Sequence, residues 1–169
     1  MKLLIVVDYQ NDFVNGSLGF AGAEKLEKGI IEKIEEYDRV IYTLDTHKSD
    51  YLETLEGTKL PVKHCIKGTN GHMLYGKVAN HLSKAEAIFE KDTFPSLELA
   101  NYLKKHPADI VEVCGLVSNI CVLSNVIMIK AALPNAKIIV NKNLTDSFDK
   151  KLNAETFDIL EGLHIEVME

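Results

Sequence analysis

The sequence predicts an α/β fold: a three-layer α/β/α sandwich on a six-stranded, mainly parallel, Rossmann-like sheet. Three observations lead there. Six short apolar runs recur along the 169 residues. Most are continuous rather than alternating, which suits strands covered on both faces. Helical patterns separate them, so successive strands are joined by right-handed crossovers with helices on both sides of the sheet.

The strands are expected at residues 3–7, 40–44, 87–89, 110–114, 137–140 and 164–167, the third being the weakest pattern. Between them, residues 24–37 place Leu26, Ile30, Ile31 and Ile34 on one helical face. Residues 96–105 open with Ser96 as an N-cap after Pro95 and carry Leu97, Leu99, Ala100 and Leu103. Residues 118–133 form the most apolar and therefore most buried helix, which stops before Pro134-Asn135. Residues 153–160 form the last helix, ended by Gly162. One long irregular stretch, 46–77, holds Gly57, Pro61, Gly68, Gly71 and Gly76, and a loop of that length in a compact domain usually has a task.

Bulk composition sets bounds. A hydrophobic share of 46% supports one core, and residues 1–169 read as a single domain. The net charge of −6 argues against nucleic acid or an anionic membrane as partner. No apolar run approaches the roughly 20 residues of a membrane span. The first seven residues are too short for a secretory signal, and three cysteines cannot all pair, so a reduced, cytoplasmic chain is expected.

In a parallel sheet, ligands gather outside the carboxyl ends of the strands. The first strand ends in Asp8, the second in Asp45-Thr46-His47 and the third in Glu90-Lys91; the fourth ends at Gly115 and leads to Cys121. All fall on one rim. Cys121 follows a strand, a glycine turn and the polar pair Ser118-Asn119, which puts its thiol in the first turn of a helix. Unpaired N–H groups and the helix dipole there favour thiolate. Asp8 emerges from a buried strand, so desolvation moves its pKa upward, toward acid/base use; alone it would be an ordinary turn cap. Lys91, a solvated surface lysine by default, would stabilise charge beside such a pair. Cys114, in mid-strand, reads as a small buried hydrophobe. Asp45 and His47, two apart in an extended segment, point the same way and could share one ion. His64 in the long loop is the best third ligand. Glu56 is a speculative fourth, more readily read as a solvated loop glutamate.

Taken jointly and in order, these residues resemble the isochorismatase-like cysteine hydrolases, and within them the nicotinamidases, over nearly the whole chain. Asp8-Tyr9-Gln10-Asn11-Asp12-Phe13 with Gly16-Ser17-Leu18 is similar to the opening motif D-x-Q-x-D-F…G-x-L. Asp45-Thr46-His47 with Pro61, His64-Cys65 and Gly68-Thr69-Asn70-Gly71 is similar to the metal segment of that family, Glu90-Lys91-Asp92-Thr93-Phe94 to its lysine motif, and Gly115 to Val122 to its nucleophile motif. The resemblance implies an Asp8, Lys91 and Cys121 triad. It implies an oxyanion hole from the N–H groups of Val117 and Cys121, preceded by a cis Leu116–Val117 peptide. It also implies one divalent ion (zinc, iron or manganese) on Asp45, His47 and His64, placed to hold the ring nitrogen of nicotinamide. The activity implied is hydrolysis of a small carboxamide, nicotinamide above all, through a thioester.

Three departures stand out. Ser118 and Asn119 replace the family's threonine and aspartate. There is no tryptophan before the proline–histidine segment; Leu60 occupies that region. One extra residue separates Pro61 from His64. Phe13, Leu18, Leu60 and Phe94 are then the expected substrate-contacting side chains. Two other readings stand beside this one. A metal-independent amidase for ureido or carbamoyl substrates would share the triad. A flavodoxin-like binding or redox-sensing module would use Cys121 as a sensor, but it lacks a resolving cysteine nearby and a Gly-rich phosphate loop. Apolar surface on the outer helices is compatible with a homo-oligomer.

Overall fold

The computed structural model describes residues 1–169. Six strands form one sheet: β1 (Lys2–Val7), β2 (Arg39–Asp45), β3 (Ala85–Lys91), β4 (Ile110–Leu116), β5 (Lys137–Asp146) and β6 (Glu166–Met168). Their order is β3-β2-β1-β4-β5-β6, and every neighbouring pair is parallel. The chain winds one way from β1 to β3 and the other way from β4 to β6. Strand order therefore reverses between β1 and β4, where loops diverge and leave a crevice.

Six α-helices accompany the sheet: α1 (Asn11–Val14), α2 (Leu26–Glu36), α3 (Leu55–Lys59), α4 (Leu97–Lys105), α5 (Leu123–Ala132) and α6 (Lys150–Gly162). One face of the sheet, with Leu4, Val6, Val40 and Tyr42, packs on Leu26, Ile30 and Ile34 of α2 and on Val78. The other face, with Leu3, Ile5, Val7, Val111 and Val113, packs on α4, α5 and α6 through Leu99, Leu103, Val126, Ile129, Phe157 and Leu160. Fully burying each such side chain stabilises the fold by about 1.5–3 kcal/mol. No helix is long and apolar enough to cross a membrane.

Several boundaries move, each for a local reason. β3 runs longer than 87–89 because it is an edge strand: Glu86, Ile88 and Glu90 face solvent, so its pattern alternates. β5 continues past residue 140 because a register shift after Val113 lets Thr145 and Asp146 pair with Gly115 and Leu116. α6 begins at Lys150, not 153, because Asp149 Oδ1 accepts from the N–H groups of Lys151 and Leu152 at 3.0 Å each. β6 begins at Glu166, not 164, because His164 takes a left-handed turn (φ 60°) after α6. The stretch 46–77 is folded down rather than open. It contains α3 and single helical turns at Tyr51–Glu53 and Asn70–His72, and it is tied to the rim by a bridge between His47 and Ile66.

Candidate active site

Close approach of β1 and β4 builds the site's floor. Gly115 has φ +112°, and a Cβ there would meet Val7 O at 2.0 Å, so only glycine lets the strand ends come this near. Asp8 follows β1 in a left-handed conformation (φ 46°) that turns its carboxylate into the crevice. After β4 comes the cis Leu116–Val117 peptide. The expected regular helix from residue 118 is instead a wide turn over Ser118–Val122, in which Val122 N–H donates to Val117 O at 3.2 Å, and α5 starts only at Leu123. The turn presents Cys121 to the crevice.

Asp8, Lys91 and Cys121 meet there, all buried. Lys91 Nζ stands 2.6 Å from Asp8 Oδ2 and 3.6 Å from Cys121 Sγ, and donates to Thr93 O at 3.1 Å. Asp8 Oδ1 accepts from Thr43 Oγ1 at 2.7 Å. Burial pushes the Asp8 carboxyl up, and the opposing Lys91 charge does not cancel it. Lys91 is held charged, its burial outweighed by Asp8, Cys121 and Asp45. The Cys121 thiol is also pushed well up by burial, against Lys91 and with Asp8 adding to it. This corrects the expectation of a resting thiolate: tertiary desolvation exceeds what a helix start offers. Val117 N–H finds no acceptor in the chain.

The second cluster adjoins the first. Asp45, His47 and His64 are all buried, and one donor atom from each lies within 4.8 Å of the others. Asp45 Oδ2 is 3.0 Å from His47 Nε2 and 3.3 Å from His64 Nε2. Glu56 Oε1 is 3.6 Å and 3.7 Å from the same two nitrogens, so this residue is turned into the cluster rather than solvated. Donors around one tetrahedral ion with bonds of about 2.1 Å stand about 3.4 Å apart, so this set fits a single divalent ion. His64 Nδ1 lies 2.8 Å from Val62 O, which leaves Nε2 free to face the cluster. Burial pushes Asp45 up, but the imidazole hydrogen bonds and Lys91 outweigh it and hold the carboxyl below its usual range.

All four side chains expected to contact substrate, Phe13, Leu18, Leu60 and Phe94, line one cavity of about 390 Å³ that also touches His64, Val117 and Cys121. A wider, more open cleft of about 680 Å³ lies across Glu56 and Phe94 but does not reach Cys121. The smaller, more apolar cavity is the one joined to the chemistry.

The isochorismatase domain family matches residues 2–168. This chain belongs to that family. Among curated relatives it is 30% identical over 169 residues to the isochorismatase family protein PncA of Bacillus subtilis, covering 90% of each chain. It is 28% identical over 174 residues to the nicotinamidase of Saccharomyces cerevisiae, covering 75% of this chain and 80% of that one. The solved nicotinamidase/pyrazinamidase PncA of Bacillus subtilis superposes with a TM-score of 0.87 at 27% identity, covering 99% of both.

Within this isochorismatase-family chain, several supporting residues escaped the sequence reading. Gln10 clamps the backbone of Asp45: its Nε2 donates to Asp45 O at 2.9 Å and its Oε1 accepts Asp45 N–H at 2.8 Å. Asp12 Oδ2 accepts Cys65 N–H at 2.7 Å, which anchors the chain beside His64. Gly71 is needed there, because a Cβ would fall 2.0 Å from that carboxylate. Tyr51 packs its ring 4.6 Å from that of His47 and 4.9 Å from that of His64. Buried Asn125 donates to Cys121 O (2.8 Å) and Phe94 O (3.0 Å) and accepts Ser96 N–H (2.9 Å), tying the nucleophile turn to a cavity wall. Phe148 joins the cavity wall from beyond β5. The motif around Asp8 covers Gln10 and Asp12 and the metal segment covers Gly71, but no motif points at Tyr51, Asn125 or Phe148.

Proposed function

We propose that this chain is a cysteine amidohydrolase that converts nicotinamide to nicotinate and ammonia, with residues 1–169 acting as one hydrolase domain. The observation that carries the reading is the contact of Lys91 with both Asp8 and Cys121 at the floor of an apolar cavity. Asp8 accepts the thiol proton as Cys121 Sγ attacks the amide carbonyl carbon. Proton transfer and attack belong together here, because burial keeps the resting thiol protonated. Lys91 stays charged and compensates the negative charge that moves between sulfur and carboxylate. The N–H groups of Val117 and Cys121 receive the oxyanion; losing one such donor typically costs about 10²–10³-fold in rate. As the C–N bond breaks, Asp8 returns its proton to the nitrogen and ammonia leaves. A water, deprotonated by Asp8, then cleaves the thioester and frees the acid and the thiol. Phe13, Leu18, Leu60 and Phe94 would enclose the ring.

Asp45, His47 and His64 would hold a divalent ion, which when bound supplies a Lewis acid and a fixed point for orienting the substrate. The buried donor set favours this over the metal-independent ureido or carbamoyl reading. With all of Cys65, Cys114 and Cys121 free, we place the enzyme in a reducing cytoplasm, acting on a small molecule.

Ammonia release from nicotinamide, pyrazinamide and ureido acids tests the reading. Nicotinamide should be turned over, and Cys121→Ala should lower the rate by at least about 10⁴-fold while leaving bound metal in place. Release only from ureido acids, or wild-type activity in Cys121→Ala, would sink it.

A further inference from the structure

Asn125 stands in the first turn of α5, fully buried in the most apolar helix of the chain. The position is a poor one for an amide. Asparagine forms helices less well than alanine or leucine, and burying its side chain costs free energy unless its polar atoms are bonded. All of them are. Nδ2 donates to Cys121 O at 2.8 Å and to Phe94 O at 3.0 Å, and Oδ1 accepts Ser96 N–H at 2.9 Å. Two donors and one acceptor on a short planar group are what an amide offers, and neither a hydroxyl nor a carboxylate supplies them.

A second observation concerns the segment this amide holds. Residues 92–95, between β3 and α4, make no backbone–backbone hydrogen bond. Side chains pin them instead: Lys91 Nζ donates to Thr93 O at 3.1 Å, and Asn125 donates to Phe94 O. Phe94 lines the catalytic cavity yet is 42% exposed, so its place depends on that backbone anchor more than on core packing. The contacts close a ring. Cys121 Sγ meets Lys91 Nζ at 3.6 Å, Lys91 holds Thr93, Asn125 holds the neighbouring Phe94, and the same amide returns to Cys121 O.

We propose that Asn125 is a positioning residue for the reaction of Cys121: its amide sets the nucleophile turn and the Phe94 wall in one fixed register, so that the sulfur meets a carboxamide seated against that wall. It touches neither substrate nor the reacting atoms and acts through Cys121 and Phe94. The inference rests on the amidase reading and deepens it. The Cys121 arm of the amide serves attack, and the arm to residues 94 and 96 serves seating of the substrate.

Steady-state ammonia release by the metal-loaded protein, assayed well below the Tm of each variant, tests it. Asn125→Leu removes all three bonds at similar volume; kcat should fall about 10²-fold, the scale of a 1 Å misplacement, and KM should rise. Asn125→Asp keeps the shape and the acceptor for Ser96 N–H but replaces the donor pair, and its kcat should fall at least about tenfold. Ser124→Ala removes the other side-chain bond to Cys121 O, at 3.3 Å, without touching residues 93–96, and should keep wild-type kcat and KM. A folded Asn125→Leu or Asn125→Asp with wild-type kcat and only a lowered Tm overturns the proposal and leaves the amidase reading intact. A Ser124→Ala loss equal to that of Asn125→Asp overturns it too, because capping of the turn alone would then explain the effect. If neither Asn125 variant folds, the amide serves the fold and the proposal falls. No release by the wild type from nicotinamide, pyrazinamide or ureido acids removes the amidase reading and this proposal with it.

Discussion

Lys91 Nζ lies 3.5 Å from Asp45 Oδ1. The same ammonium is 2.6 Å from Asp8 Oδ2, so one buried cation joins the acid of the nucleophile cluster to the acid of the metal cluster. The two halves of the site are therefore one electrostatic unit. That charge opposes the upward push of burial on Asp8 and helps hold Asp45 below its usual range.

Lys91→Met should expose how much depends on that charge. Removing one partner of a buried pair typically costs about 3–5 kcal/mol, because the other is left unpaired. A large fall in Tm is expected, with ammonia release down by about 10²–10⁴-fold. Asp8→Leu/Lys91→Met should recover most of the stability and none of the activity. A single variant as stable as the wild type would show that the pair contributes nothing to the fold.

The metal cluster should rank its members. His64→Ala removes a donor only 3.3 Å from Asp45 Oδ2 and should weaken divalent-metal binding by at least about 10²-fold. Glu56→Gln, 3.6–3.7 Å from both imidazoles, should weaken it by about tenfold. Competition with a chromophoric chelator measures both. A Glu56→Gln loss equal to that of His64→Ala would make Glu56 a ligand of the same standing.

Acid stability has a local source at the sheet edge. Arg39 holds Glu86 by two bonds, Nε to Oε2 at 2.6 Å and Nη2 to Oε1 at 2.8 Å, and Tyr102 adds a third at 2.9 Å. These hydrogen bonds hold the Glu86 carboxyl below its ordinary value. A depressed carboxyl pKa stabilises the fold fully above the unfolded value, about 4.3, and that gain is lost as pH falls through the lower folded value. Glu86→Gln should therefore be less stable than the wild type by about 1 kcal/mol at pH 6–7, after allowing for partial exposure. The gap should close below about pH 4. Urea unfolding across that range checks it, and a gap independent of pH would assign the effect to packing.

Much of the site could be read in the chain because it hangs on strand ends. Asp8, Asp45, Lys91 and the Cys121 turn each follow an apolar run, and a parallel sheet brings such ends to one rim. What stayed hidden depends on loops folding back. Glu56 looks like any loop glutamate until the segment between β2 and β3 closes over His47. Asn125 and Phe148 reach the site from the first turn of α5 and from beyond β5, where no local pattern marks them. Edge strand β3 shows only a short apolar run in the sequence because two of its three outward positions, Glu86 and Glu90, are charged.

By itself, the sequence determined the layer architecture, the rim of reactive side chains and the three metal-type donors. Those follow from periodicity and from residue type, both of which are local. Only the tertiary structure decided the protonation of Cys121. The first turn of a helix argued for thiolate, but the packed crevice removes water from the buried sulfur and sets Asp8 beside it, and both push the thiol up. The residue most visible in the chain thus takes its working state from neighbours far away in sequence.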